Sequence, residues 1–565
     1  MKSNKTIGNM PFDIHIASDV HMMRVFFVCN KFACIISTVS EQMKGVPVGR
    51  AVGIDLGTTY SAVAVLDAAG GGVVLQNSEG ENTTPSVVFF STSDGKDEPV
   101  VGTMAKHMAA TSPDDVVQFV KRHMGDPNWR FDSSSGQSYT AEEVSAIILK
   151  RLKQDAELAL GEPVTDAVIT VPAYFDDARR TATKQAGKMA GFNVMRVLNE
   201  PTAAAISYGL DDEKNGTILV YDLGGGTFDV TALRVKDLNF EVLGTDGDRN
   251  LGGFDFDNAL MKLIADDVAK QGGEGLLNDY EATADLREKA EMAKRSLSNV
   301  AKTNVFITFQ GKNYKVSISR KDFEKATGSL LNRTRELVED VLDETNLTWD
   351  GIDYVLLIGG STRMPMVREM VEKISGKTPE NNVNPDEAVA LGASIQAALE
   401  VANGSGSVDV DDSNTPVVPA AGKDIVIQDV TSQALGTLTY NPETDTERNT
   451  VVIPRNAKIP GSYSEEFSTV SDNQTEIRVQ VTQGDDPDPQ FVVILGESTL
   501  RIPPYPKHSP IRVTYHYDID QTVQIEVTDL VSNQSLGTFE IDRAANLNEE
   551  QVAAATDKIG NMTVE

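Results

Sequence analysis

The spacing of apolar residues changes once along this chain. Between about residues 51 and 402, short apolar runs alternate with stretches whose apolar positions recur every three to four residues, which predicts an α/β region. Residues 168–171 read as a strand and 176–190 as the helix after it. Residues 217–221 and Tyr354–Ile358 read as buried strands, each running into glycines. The clearest helix is 281–300. There Leu286, Ala290, Ala293 and Leu297 make one apolar stripe, and Glu291, Lys294, Arg295 and Ser298 share the neighbouring face. A solvated face is the ordinary reason for such a cluster. Past residue 424 the period falls to two. Ile477, Val479 and Val481 alternate with Glu476, Arg478 and Gln480, and the sets Ile511, Val513, Tyr515 and Val523, Ile525, Val527 follow the same rule. Short strands punctuated by Pro, Gly, Asn and Asp predict a β-sandwich. Residues 546–565 begin as a helix, with Asn546 as cap and Glu549 three positions on, and end almost at once.

With 565 residues the chain is too long for one core. The expected division is an extension over 1–50, an α/β domain over 51–402, a linker over 403–427, a β-sandwich over 428–541 and a short helical tail over 542–565. The linker has tether composition, except that Asp424, Ile425, Val426 and Ile427 form a short apolar run that also reads as the first strand of the next domain. Residues 1–50 carry six Lys/Arg against three Asp/Glu, net +3, in a chain whose net charge is -32. They are expected to lie outside the folded unit, with Met43 a sensible alternative start.

Candidate chemistry comes from glycine. Gly53-Ile54-Asp55-Leu56-Gly57-Thr58-Thr59-Tyr60 and Val220-Tyr221-Asp222-Leu223-Gly224-Gly225-Gly226-Thr227-Phe228-Asp229 both run from a strand through Asp-Leu-Gly into glycine and threonine. One such motif alone is an ordinary tight turn. Two suggest facing hairpins around the phosphates of one nucleotide. Glycine lets the backbone N–H groups approach phosphate oxygens, and Thr58, Thr59 and Thr227 add hydroxyls. Asp55 and Asp222, at the strand ends, are placed to hold Mg²⁺ through its waters. A third turn, Gly359-Gly360-Ser361-Thr362-Arg363, offers a passage for an adenine ring with Arg363 stacked on it. There is no Gly-x4-Gly-Lys-Ser/Thr, which excludes a P-loop. None of the six histidines sits in a glycine turn, and the only cysteines, Cys29 and Cys34, make no disulfide framework and a poor metal site.

The charge balance argues against nucleic acid and membrane partners, because a strongly acidic chain repels phosphate backbones and anionic lipid. The longest apolar run, 25–39, is broken by Asn30 and Lys31, too short to span a bilayer and poorly built as a signal peptide. A cytoplasmic protein is expected.

These motifs resemble the DnaK-type chaperones, the seventy-kilodalton heat-shock family within the actin-like ATPases. Residues 54–61 resemble the family's first signature, 220–230 the second and 355–365 the third, and Asn199-Glu200-Pro201-Thr202-Ala203-Ala204-Ala205 is also family-like. The resemblance spans about 50 to 545 and implies a two-lobed actin-like ATPase domain followed by a peptide-binding β-sandwich. It implies ATP and Mg²⁺ as ligands, and unfolded client polypeptides, a J-domain co-chaperone and a nucleotide-exchange factor as partners. By position, Lys121 matches the lysine that orients the attacking water, and Glu200, Asp222 and Thr227 match the residues around Mg²⁺ and that water. Asp55 and Thr58 match the first phosphate loop. Glu291, Lys294, Arg295 and Ser298 match the face that embraces the nucleoside, and Gly360, Ser361, Arg363 and Asp386 match further adenosine contacts. Pro172 and Arg180 match a pair that relays nucleotide state between domains, and 424–427 resembles the docking linker. Phe467, Val470, Ile477 and Val479 would line the peptide cleft.

The chain also departs from the family. Residues 440–447 are acidic where small apolar residues are usual, the tether before Asp424 is long, and only the first turns of a helical lid fit into 546–565. The alternative reading is therefore an actin-like ATPase that serves as a scaffold or regulator, with a β-domain that holds one dedicated partner.

Overall fold

The computed structural model describes residues 50–565, apart from 68–69, 94, 212–213, 381–383, 405–424, 442–444, 519–521 and 541–545. The expectations for 1–49 and for Asp424 fall outside the described residues.

Two sheets built on one plan dominate the first part. In one, strand Arg50–Asp55 has parallel Val164–Val171 on one side and antiparallel Tyr60–Leu66 on the other. In the other, Gly216–Leu223 lies between parallel Tyr354–Ile358 and antiparallel Phe228–Lys236. Each central strand ends in its Asp-Leu-Gly, so both glycine motifs become hairpin turns. Strands buried on both faces read as continuous apolar runs, which is why they were legible. Two helices, Glu200–Asp211 and Ala388–Ala402, pack together, and both join the core that sits on the second sheet. This is the actin-like two-lobed arrangement.

Helix Tyr280–Asn299 buries Leu286, Ala290, Ala293 and Leu297 as the periodicity requires. Helix Asp177–Met189 is capped by Asp176, whose carboxylate accepts from the Arg179 N–H at 3.0 Å.

The C-terminal strands form two four-stranded antiparallel sheets around a core of Val479, Val481, Ile511, Val513, Tyr515, Val523, Ile525 and Val527. This is the β-sandwich expected from the period of two. Strand Val426–Val430 joins the two parts. It extends the second sheet by pairing in parallel with Asn239–Asp248, and it pairs antiparallel with Lys458–Ile459. Ion pairs reinforce that junction: Arg455 reaches Asp246 and Glu344, each at 3.2 Å, and Lys458 reaches Glu241 at 2.6 Å.

The tail corrects one expectation. Its helix runs Glu549–Gly560 and is capped by Asn548, which exchanges a capping box with Gln551. Asn546 is not the cap; its amide donates instead to the Ala178 carbonyl at 2.8 Å. The helix does not cover the sandwich. Val552, Ala555 and Ile559 pack into the core of the first lobe, and Lys150 donates to the carbonyls of Ile559, Gly560 and Met562 at 2.7, 3.0 and 2.8 Å. Glu565 then pairs through its backbone with Pro99 and Val101.

Candidate functional site

The two glycine hairpins face one another across the cleft between the lobes. Their approach is close enough that a Cβ on Gly225 would lie 1.8 Å from Thr59 Oγ1, so only glycine fits there. A cavity of about 650 Å³ opens between them. Its walls carry Asp55, Gly57, Thr58, Thr59 and Tyr60 from the first hairpin and Asp222, Gly224, Gly225 and Thr227 from the second. Gly226 lies behind the wall, against the Thr58 side chain.

At the deep end, Lys121 is almost fully buried and donates to Glu200 at 2.5 Å. Lys121 sits in a single turn, Val120–His123, and Glu200 opens the helix Glu200–Asp211. Asp55 and Asp222 complete the group, with Asp229 beside them. Burial pushes Asp55 up to about 7, with Glu200 adding to the rise and Lys121 opposing it. Burial also raises Asp222 well above the usual carboxylate range, helped by Glu200 and Asp229. Asp229 is pushed up to about 7 by burial and Glu200, although the Tyr174 N–H donates to it at 2.8 Å. The acids outweigh the lysine, and that buried excess of negative charge fits a divalent cation. Among the described residues, no three His, Cys, Asp or Glu side chains converge to hold a metal directly. Asp55 and Asp222, at the strand ends, would suit an ion that keeps its water shell, as Mg²⁺ does.

The other end of the cavity is built from both lobes. Lys106 donates to Tyr60 Oη at 3.0 Å and to Glu291 at 2.7 Å, and Arg295 donates to the same two groups at 2.7 Å each. Burial works against the charge of Glu291, but Lys106 and Arg295 hold its carboxyl below the usual range. Lys294 is drawn to Asp257 at 2.9 Å and to the Gly253 carbonyl at 3.0 Å. Ser298 returns its hydroxyl to the Lys294 carbonyl. Gly359, Gly360 and Ser361 line the opposite wall. Arg363 is half-exposed at the mouth, where it pairs with Asp386 at 2.5 Å. The charged face of helix Tyr280–Asn299 is thus turned into the cleft.

A second cavity, of about 450 Å³, lies in the sandwich and is lined by all four expected residues: Phe467, Val470, Ile477 and Val479. Glu447 and Tyr440 stand at its rim, with Tyr440 Oη donating to Asp445 at 2.7 Å.

A buried polar chain runs from the first lobe to the joining strand. Arg180 donates to the carbonyls of Phe175 and Ala173, both at 3.1 Å, and to Asn199 Oδ1 at 2.6 Å; Asn199 Nδ2 donates to Asp429 at 2.8 Å. Pro172 is buried at the start of this turn and accepts from the Phe175 N–H. Ile425 and Ile427 pack against the core beside it, whereas Val426 is exposed.

Sequence reasoning missed several of these residues. Asp429, an acid of the joining strand beyond the 424–427 run, is anchored by Asn199. Asp229 closes the second motif and was given no role there. Lys106 and Asp257 gave no local signal, because their partners are distant in the chain, and Asn199 stood in a family-like motif without a role of its own.

A family model described as Hsp70 protein matches residues 51–565.

Proposed function

This chain belongs to the Hsp70 family, whose members are ATP-dependent chaperones, and we propose that it binds and slowly hydrolyses Mg·ATP in the interlobe cleft and couples that cycle to an extended peptide in the sandwich cavity. The observation that carries the coupling is strand Val426–Val430, hydrogen-bonded both to the second lobe and to Lys458–Ile459. A strand held at a sheet edge is a two-state element that nucleotide-dependent lobe motion can release.

The glycine hairpins would supply N–H donors to the phosphates, and the Thr58, Thr59 and Thr227 hydroxyls would add to them. Bound Mg²⁺ would supply charge neutralisation at the transferred phosphoryl group. Lys121 and Glu200, close together at the deep end, would orient the attacking water. Tyr60, Glu291, Arg295 and Lys294 would hold the nucleoside, with Ser298 and Arg363 at its edges. Phe467, Val470, Ile477 and Val479 would take apolar client side chains, and an exchange factor and a J-domain protein are the expected partners. A cytoplasmic setting belongs to the same reading. Among the described residues, no helix is long and apolar enough to cross a membrane.

The scaffold alternative draws on the acidic rim near Glu447. Single-turnover ATP hydrolysis, measured with and without an extended apolar peptide and a J-domain, separates the two. Stimulation by either supports the chaperone, and hydrolysis indifferent to both supports the scaffold.

A further inference from the structure

Phe119 and Phe254 come from different lobes and meet edge to face, with ring centroids 4.8 Å apart and planes at 65°. Neither ring belongs to a lobe core: Val117 and Val120 flank Phe119 in the first core, and Leu251 and Phe256 flank Phe254 in the second. Two arginines hold the pair. The Arg122 guanidinium lies 4.7 Å from the Phe254 centroid and the Arg287 guanidinium 4.4 Å, and Arg122 also pairs with Asp255 at 3.1 Å.

What lies behind each ring gives the contact its interest. Phe119 has φ 60, a left-handed conformation that a bulky aromatic residue rarely adopts. Its carbonyl accepts from the Arg122 N–H at 3.0 Å and so closes the turn that carries Lys121. Phe254 rides on the second glycine hairpin: its N–H donates to the Gly225 carbonyl at 2.8 Å, and the Gly253 N–H donates to that of Gly224 at 3.0 Å. The approach is so close that a Cβ on Gly252 would lie 2.5 Å from the Gly226 nitrogen. The aromatic contact thus joins the backbone turn of Lys121 to the backbone of the phosphate hairpin in the other lobe.

We infer that the Phe119–Phe254 pair, clamped by Arg122 and Arg287, is a positioning contact that sets Lys121 against the second glycine hairpin for ATP hydrolysis. The inference rests on the ATPase reading above. Neither ring is among the residues that line the interlobe cavity, so the pair acts on the rate at which bound ATP is hydrolysed and leaves the nucleoside contacts as they are.

The test is the full chain carrying Phe254→Ala, Phe254→Tyr or Phe119→Gly, the last chosen because glycine accepts the left-handed backbone while removing the ring. Single-turnover hydrolysis is expected to fall about tenfold in Phe254→Ala and Phe119→Gly while ATP affinity stays within about threefold, and Phe254→Tyr is expected to restore the rate. Loss of affinity in step with rate, or no recovery with tyrosine, makes the contact merely structural and overturns the inference. A wild-type chain that hydrolyses no ATP overturns the ATPase reading and the inference with it. Normal wild-type turnover with unaffected variants overturns the inference alone.

Discussion

The Arg180 guanidinium and the Asp429 carboxylate meet across one amide, that of Asn199, which accepts from the first at 2.6 Å and donates to the second at 2.8 Å. All three side chains are buried. Burial raises the Asp429 carboxyl, with the Val430 N–H and Arg180 opposing the rise. An ATPase lobe and the strand leading into the sandwich therefore share one polar chain. Asn199→Ala would leave both buried partners incompletely satisfied, at a cost of about 1–3 kcal/mol. The expected outcome is a lower melting temperature together with loss of the nucleotide effect on peptide affinity. Asp429→Ala should uncouple the sites as well. Peptide binding by fluorescence anisotropy with ATP and with ADP reads both.

Lys121→Ala should abolish single-turnover hydrolysis and leave nucleotide binding measurable, because the lysine pairs with Glu200 and is not part of the Tyr60, Glu291 and Arg295 cluster proposed to hold the nucleoside. Full turnover in that variant would refute the assigned role.

The acids of the cleft predict a pH dependence in the nucleotide-free, Mg²⁺-free protein. Asp55 and Asp229 stand at about 7 when folded, against about 3.9 for an unfolded aspartate. The folded state therefore binds more protons over that range, so stability is penalised above about pH 7 and recovers as pH falls through it. The melting temperature should rise between pH 8 and 6.5. Below that, His123, whose pKa burial lowers, works in the opposite direction. Saturating Mg·ATP should flatten the rise, since bound cation replaces the proton. A melting temperature that falls from pH 8 to 6.5 would contradict the account of the cleft.

The tail helix should report its docking by hydrogen exchange. Ile559 is fully buried in the first lobe, so Ile559→Ala should cost about 2–5 kcal/mol locally and expose the Glu549–Gly560 amides. Amides of the sandwich sheets should keep their protection. Loss of protection in the sandwich instead would show that the helix stabilises the sandwich.

What the sequence made legible was local. Tyr354–Ile358 was read to the residue, and the stripe Leu286, Ala290, Ala293, Leu297 is buried as its period demands. The two Asp-Leu-Gly turns were legible because they carry their geometry in the backbone, whereas Lys121, Glu200 and the role of the Glu291–Ser298 face came from the family resemblance. Pairings between distant segments were not legible. Two asparagines, Asn546 and Asn548, compete for one cap, and Asn548 wins because Gln551 closes the box while Asn546 is drawn to Ala178. Asp429 is held by the amide of Asn199, 230 positions earlier in the chain, a partner no local pattern points to. The left-handed Phe119 has no signal in composition at all; its ring contact comes from the other lobe.

The central claim is coupling between the nucleotide cleft and the sandwich cavity. Its most direct test is the affinity of one extended apolar peptide for the Lys121→Ala chain, measured with ATP bound and with ADP bound. Coupling predicts affinities that differ by at least about fivefold, and the peptide should change the ATP-to-ADP affinity ratio by the same factor. Equal peptide affinity in the two nucleotide states would contradict the account.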